Sequence, residues 1–430
     1  MDDKAKEKMI GKQKTTNPFI SLKNRDFRNY IIGSSISQTG LWIQNVAQPW
    51  LAYTLTKSPL LLGIVGALQV APVLLLSLFI GPMIDKLDKK RILIFTQVSS
   101  MLLTLIFSIL VFTGIVQYWH IVLLSILLGI INTLDFPTRQ AFINQLIEDK
   151  AQLQNAISLN SSILSITRII GPALAGIVMG FWGIGVCFLI RAISLGIIAI
   201  SLLFIHPIKI SKAISKSKNL TEITNGLKYV FKNKVILSAL LILTIVMTFG
   251  NNLTVLVPVF AKEVLHKQET GYGVLMSFMG IGSFFGGMFM ASISKKDSVK
   301  VLLYVFPLII GLLLIATAFS NSYLTTGLYL ALMGFFFIAF TAKVVSILQM
   351  NTTNEFMGRM MSLFSMLSTG SALIGNVYAG FFTDRFGAGI GFIVCGVIIV
   401  ILMLPTFLAT KSIYSDHPSE PAGSPNVNRH

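Results

Sequence analysis

The chain has 430 residues, 54% of them hydrophobic and 12% charged, with a formal net charge of +17. That charged share is about half the share in an ordinary soluble domain, which excludes a soluble globular protein. The apolar content excludes a disordered chain, a disulfide scaffold and a coiled coil, and has room for roughly twelve transmembrane helices of about 20 residues each.

Residues 1–28 form a polar N-terminal segment without the apolar run of a cleavable signal peptide, so the first span is expected to insert uncleaved. Asn29–Thr56 and Ser58–Ile84 read as spans 1 and 2, divided at Lys57-Ser58-Pro59. Ile92–Val116, Trp119–Phe142, Leu153–Gly180 and Trp182–Ile205 read as spans 3 to 6. A basic cytoplasmic linker, 206–234, follows; its Ser/Lys-rich part is Ser211–Asn219, and Leu220–Phe231 has the pattern of a surface-lying amphipathic helix. Val235–Ala261, Gly271–Ser294, Val301–Ser320, Tyr323–Gln349, Gly358–Asp384 and Gly387–Thr410 read as spans 7 to 12, and 411–430 as a disordered cytoplasmic tail.

Placing both termini in the cytoplasm puts 27 of the 34 Lys and Arg residues on that side, counting Arg139 and Arg359 at span ends, and four on the other. This is the distribution that the positive-inside rule requires of a multi-pass protein in the cell (inner) membrane. The net charge is therefore no nucleic-acid signal. Cys187 and Cys395 lie in apolar runs, the five histidines are scattered, and no phosphate loop is present. Hence no metal, no cofactor and no enzymatic activity are expected.

An internal repeat divides the chain. Gly171-Pro-Ala-Leu-Ala-Gly176 in span 5 recurs as Gly375-Asn-Val-Tyr-Ala-Gly380 in span 11, and at the same offset Arg139 falls on Lys343 and Gln145 on Gln349. The expected architecture is an all-α membrane protein with two related six-helix halves, 29–205 and 235–410. Parallel repeats of this kind place substrate sites at their interface.

The loop after span 2 reads Gly81-Pro-Met-Ile-Asp85-Lys86-Leu-Asp88-Lys-Lys90-Arg91. It resembles motif A of the major facilitator superfamily, departing from it at Lys86 and Asp88. The run Asp135-Phe-Pro-Thr-Arg139-Gln-Ala, continued by Asn155-Ala156, Leu159-Asn160-Ser161 and Arg168-Ile-Ile-Gly171-Pro172-Ala-Leu-Ala-Gly176, is similar to the transmembrane secretion effectors, with the enterobactin exporter and macrolide-efflux proteins. The resemblance covers Leu22 to Ala409. It implies the major facilitator fold and a gate built from Gly81, Asp85, Lys86, Lys90, Arg91, Asp135 and Arg139. Gly171, Pro172 and Gly176 resemble motif C, which implies export by antiport with protons. Two departures separate the chain from drug antiporters: Ser125 stands where motif B has Arg, and span 1 has no carboxylate.

Asp135 is the acid within a span, short of the span ends. A charge at that depth needs a partner. Two roles stay open for it: pairing with Arg139 and with Lys90 or Arg91 in a cytoplasmic gate, or carrying the coupling proton. Arg168 and Arg191 are likewise deep. Each is either an anion-attracting surface for a carboxylate- or catecholate-bearing substrate or a cation satisfied by carbonyls and hydroxyls. Ser158, Ser161, Ser165 and Arg168 share one helix face. So do Ser34, Gln38, Asn45 and Gln48 on span 1, with Asn251 and Asn252 in the repeat-related place on span 7. These amides are candidate cavity lining, with Trp42, Trp50 and Tyr272 as aromatic walls. Lys343 is expected to snorkel toward the cytoplasm.

The reading is a monomeric secondary transporter that exports a small amphipathic molecule, a siderophore-like metabolite or a drug, with protons as coupling ion and lipid as its surroundings. The alternatives are a lipid or lysolipid flippase on the same fold, a non-transporting scaffold or sensor, and a membrane-embedded enzyme, against which the lack of a His/Asp/Cys cluster counts.

Overall fold

A computed structural model of the chain describes residues 19–147, 149–208, 229–231, 233–293 and 299–415. The start of the N-terminal segment, the Ser/Lys-rich linker with most of its amphipathic stretch, and residues 416–430 lie outside the described residues. Of motif A, the side chains of Gly81, Asp85 and Lys86 also lie outside them.

Thirteen helices follow one another among the described residues: α1 (Arg25–Thr56), α2 (Pro59–Lys86), α3 (Lys89–Phe112), α4 (Tyr118–Ile143), α5 (Lys150–Trp182), α6 (Ile184–Leu203), α7 (Lys234–Gly250), α8 (Leu253–Glu263), α9 (Glu269–Ser292), α10 (Val299–Ala318), α11 (Tyr323–Asn351), α12 (Asn354–Phe386) and α13 (Ala388–Ser415). Their ends follow local chemistry. Lys57 closes α1 in the left-handed region (φ 52°), and the Ser58 hydroxyl accepts from Leu61 N to start α2, with Pro59 in its first turn. Asp88, the residue out of place in motif A, caps α3 by accepting from Lys90 N and Arg91 N. A helix N-cap explains an acid where the motif has glycine.

Two differences from the sequence reading are structural. Span 7 is not one helix: it breaks at Asn251 and Asn252, between α7 and α8. The Asn252 side chain donates to Thr248 O (2.7 Å), competing with the backbone ladder after Gly250. At the other end, α13 runs on to Ser415, so the stretch 411–415 is helix and not tail.

Ten of the spans are long and apolar enough to cross a membrane, with α7 and α8 together making one. The exceptions are α10, whose apolar part Leu302–Ala318 is shorter, and α1. At 32 residues α1 is long enough, but Ser34, Ser37, Gln44 and Gln48 are buried in it. These side chains are packed against other helices, while Ile32, Ile36 and Leu55 on the same helix are exposed.

The chain alternates direction, so α1 starts and α13 ends on one side, here the terminal face; the opposite side is the far face. Within the N-terminal half (α1–α6), the most extensive packing is α3 on α6, α1 on α6 and α2 on α4; within the C-terminal half (α7–α13) it is α9 on α11 and α10 on α13. The halves meet along two seams, α2 with α12 and α5 with α9. The repeated glycine segments occupy equivalent places in them. A Cβ on Gly176 would sit 2.9 Å from Gly273 Cα, and one on Gly380 3.3 Å from Gly63 Cα. Gly171 backs onto Trp42 of α1, and Gly375 onto Thr248 and Asn252 of the α7 region. Small residues are what let backbones come this close in a membrane, where apolar burial cannot drive helices together.

The tightest approach lies inside the C-terminal half, where a Cβ on Gly282 would fall 1.7 Å from Ala331 O. Gly282→Ala is expected to destabilise the protein by roughly 1–3 kcal/mol, since α9 and α11 must separate. Gly287→Ala, whose Cβ would meet nothing nearer than 3.8 Å, is the control and should shift thermal unfolding in detergent by no more than about 0.5 kcal/mol.

Candidate functional site

Polar side chains within the spans fall into three groups. The first lies inside the N-terminal half. Asp135 on α4 receives Arg139 Nε (2.6 Å), Thr96 Oγ1 (2.8 Å) and Gln97 Nε2, and Arg139 Nη2 donates back to Gln97 Oε1 (2.8 Å). The pair is largely buried, with side-chain exposures of 14% for Asp135 and 11% for Arg139. Lys90 and Arg91 are not its partners. Lys90 Nζ instead donates to Leu203 O (3.1 Å) and Ile205 O (2.8 Å), closing the end of α6. Arg91 stays at the surface beside Asp88 (3.7 Å). The expected link from Asp135 to these motif A bases is thus replaced by partners on α3, because each base finds an oxygen nearer its own helix.

Arg191 also belongs to this interior. It is 6% exposed, and its Nη1 donates to Ser37 O (2.7 Å) and Ser37 Oγ (3.1 Å), tying α6 to α1. Gln48 donates to Ser125 Oγ (2.7 Å) and accepts from Gln44 (3.3 Å) in the α1–α4 contact. Ser125, which stands where motif B has its Arg, therefore holds α1. Asn252 is fully buried in the C-terminal half against Gly375 and Cys395. Arg191, Gln48 and Asn252, expected as cavity lining, are thus buried in contacts within one half. Lys343 is buried as well, at 7% exposure.

The second group comes from the middle of α1, α5 and the α7–α8 break. Gln38, Trp42 and Asn45 of α1, Arg168 of α5 and Asn251 at the α7–α8 break are all half-buried. The Gln38 and Asn45 amides make no hydrogen bond among the described residues. The α1 stripe thus splits: at about 100° per residue, Gln38 and Asn45 lie on one flank of Ser34, and Gln48 on the other. Arg168 places its guanidinium over the Trp42 ring, 5.3 Å from the centroid. On α5, Ser158 and Ser161 are exposed on the terminal side of Arg168, their hydroxyls turned onto their own backbone.

The third group closes the far face. Trp50 and Tyr272 are fully buried and stacked, 5.3 Å apart at 16°. They are a plug between the halves, not the open aromatic walls expected. Lys262 Nζ lies over both Trp50 and Tyr53, and the Tyr53 hydroxyl donates to Glu263. Asp384 at the end of α12 accepts from Ser58 Oγ (2.7 Å) and Leu60 N (3.4 Å) at the start of α2, a carboxylate at a helix N-terminus. Thr270 donates to Gly176 O (3.2 Å) across the α5–α9 seam. The terminal face presents exposed side chains on α5 and α12: Ser158, Ser161 and Ser162 of α5 and Ser362 and Met366 of α12. Tyr53, Glu263, Asp384, Thr96 and Gln97 were not signalled by sequence, since hydroxyls, amides and helix-end carboxylates are common and gain meaning only from what faces them.

A depression on the far face between α10 and α11, lined by Phe319, Ser320, Asn321 and Tyr329, lies away from these groups and has no charged lining. Among the described residues no cluster of His, Cys, Asp or Glu can hold a metal ion.

Comparison with known proteins gives a consistent result. A family model described as transmembrane secretion effector matches residues 16–429. The staphyloferrin A transporter of Staphylococcus aureus is 27% identical over 380 residues, 87% of this chain and 94% of that protein. Macrolide efflux protein A of Streptococcus pyogenes is 20% identical, over 81% of this chain and 87% of that protein. The fold matches the structure of a bacterial homologue of the human lysosomal transporter Spinster, with TM-score 0.74, 14% identity, and coverage of 93% of this chain and 98% of the other.

Two outcomes follow from the geometry. Asp135→Asn leaves Arg139 buried without its counter-charge and should destabilise the protein by about 3–5 kcal/mol; adding Arg139→Gln should restore part of that loss, as read in a double-mutant cycle of thermal unfolding. The far-face contacts of Glu263 and Asp384 are exposed, worth about 0–1 kcal/mol each. Glu263→Gln with Asp384→Asn should therefore barely change global stability. It should raise hydrogen exchange in α8 and the first turn of α2, leaving α3 and α4 unchanged.

Proposed function

The chain belongs to the transmembrane secretion effector family of the major facilitator superfamily, and from that premise we propose that it is a proton-coupled exporter of a small amphipathic molecule. It is a multi-pass membrane transporter; direction, coupling ion and substrate are the proposed part. The observation that supports the reading best is the asymmetry of closure. A plug and three polar contacts hold the halves together at the far face, whereas polar side chains lead from the terminal face to Gln38, Trp42, Asn45 and Arg168 at mid-helix. Substrate enters from the terminal face, and rocking of the halves about their glycine seams breaks the far-face contacts and releases it there. With 27 of 34 basic residues on the terminal side, that side is the cytoplasm and the movement is outward.

Siderophore-like metabolites are the first substrate class and hydrophobic drugs such as macrolides the second. The relatives named for staphyloferrin A and for macrolides support this order. Proton coupling would involve Asp135, the carboxylate inside the spans: a proton arriving there must displace its donors from Arg139, Thr96 and Gln97, and so loosen α3 from α4.

In inverted proteoliposomes, a pH gradient should drive accumulation of a radiolabelled catecholate siderophore or macrolide, and collapsing the gradient should stop it. Asp135→Asn should cut gradient-driven uptake by about ten-fold or more. Gradient-driven uptake by that variant with unchanged proton stoichiometry would remove Asp135 as proton carrier. Failure of the wild-type protein to move either compound would favour the non-transporting reading.

A further inference from the structure

We infer that Arg168 and Trp42 form an anion subsite at mid-length of α5, beside the α5–α9 seam, which takes a carboxylate of the transported molecule next to a flat apolar group. The inference rests on the export reading above and adds a substrate chemistry to it.

Three arginines of the N-terminal half are buried or half-buried, and they are treated differently. Arg139 is matched by Asp135, and Arg191 is tied to the carbonyl and hydroxyl of Ser37. Arg168 has neither. Arg139 Nη1 and Arg191 Nε are also buried without a partner, but among the described residues Arg168 alone of the three makes no hydrogen bond and no ion pair at any of its nitrogens, its buried Nε included. Its one neighbour of opposite polarity is the face of Trp42. A ring attracts a guanidinium but does not neutralise it, so a full positive charge remains.

Depth makes that charge informative. Arg168 lies 18 residues from the start of α5 and 14 from its end, about 27 Å and 21 Å at 1.5 Å per residue. An unmatched charge that far along a membrane-spanning helix is costly. Arg168 also points away from lipid. Ile166, Ile170 and Ile177 are exposed on α5, and each is turned by about 160–180° from Arg168 around the helix. The two Nη nitrogens are neither bonded nor sealed, so the guanidinium presents its outer edge to the cavity, the edge that accepts a carboxylate in two parallel hydrogen bonds.

Trp42 is itself held in place. A Cβ at Gly171 would fall 2.3 Å from Trp42 Cβ, and one at Gly280 2.7 Å from Arg168 O. The glycines of α5 and α9 thus set both the ring and the backbone that carries the cation. Gln38 and Asn45, one turn to either side of Trp42 on the same stripe, are left to bond the polar remainder of the molecule.

The test uses the full chain in phosphatidylcholine nanodiscs with two probes of equal shape, 2-naphthoate and its neutral amide, 2-naphthamide. The wild-type protein should bind the carboxylate with a Kd about ten-fold lower than the amide. Arg168→Gln should abolish the preference, and Arg168→Lys should retain part of it. Naphthoate should also quench tryptophan fluorescence, and Trp42→Phe, which leaves the charge in place, should remove most of the quenching. Equal binding of the two probes by the wild-type protein, a preference that survives in a folded Arg168→Gln variant, or quenching unchanged in Trp42→Phe would each overturn the subsite. Gradient-driven flux of the macrolide is measured on the same preparations. Flux without a carboxylate preference overturns the subsite alone; a preference without flux overturns the export reading alone.

Discussion

Inside a membrane, each amide, hydroxyl and charge must be met by another protein group or by water in a cavity, because hydrocarbon offers nothing to bond. The N-terminal half is organised by that constraint. Asp135 is answered by α3, Arg191 by the backbone of α1, and Gln48 by Ser125 of α4. These bonds join α1 to α4, α1 to α6 and α3 to α4, so one half becomes a single body in which a polar first helix can exist. The buried amides of α1 are met by its neighbours, while Ile32, Ile36 and Leu55 on the same helix are exposed.

What the interior does not answer then stands out. Gln38, Asn45 and Arg168 keep their bonding capacity unused and lie half-buried at mid-helix. The rocking proposed above would turn on the other structural device, the glycine contacts. Gly176 meets Gly273 and Gly63 meets Gly380 backbone to backbone, so the halves approach closely along both seams. Such a seam can tilt while each half stays rigid. The far-face contacts are of a different kind, a stacked aromatic pair and hydrogen bonds to exposed carboxylates, which can be broken and remade at small cost.

Several features were legible in sequence because they are local or periodic. The break at Lys57-Ser58-Pro59 is a helix stop, a cap and a first-turn proline in direct succession. The glycine repeat at an offset of 204 marks two contacts that prove equivalent in space. Helix-face arithmetic succeeded less well. It put Ser34, Gln38, Asn45 and Gln48 together, but a stripe spans an arc, and here the boundary between packed interior and cavity runs through it. The break in span 7 was missed for a related reason: hydropathy continues across Asn251 and Asn252, and only the Asn252 bond to Thr248 shows where the ladder stops.

Composition, basic-residue asymmetry and the internal repeat are enough to establish a multi-pass helical membrane protein with two related halves, because burial in hydrocarbon imposes length, apolarity and charge distribution on the chain directly. Family membership was readable in the same way, from motifs that keep their spacing. Which polar residues are structural and which are free was decided by tertiary structure alone. Arg139, Arg168 and Arg191 are alike as residue types, each on a membrane-spanning helix. What separates them is a carboxylate one turn away on the same helix, an indole ring on a neighbouring helix, and a carbonyl on another. Two of these three partners are distant in sequence, so only the packing of α1 against α5 and α6 assigns them.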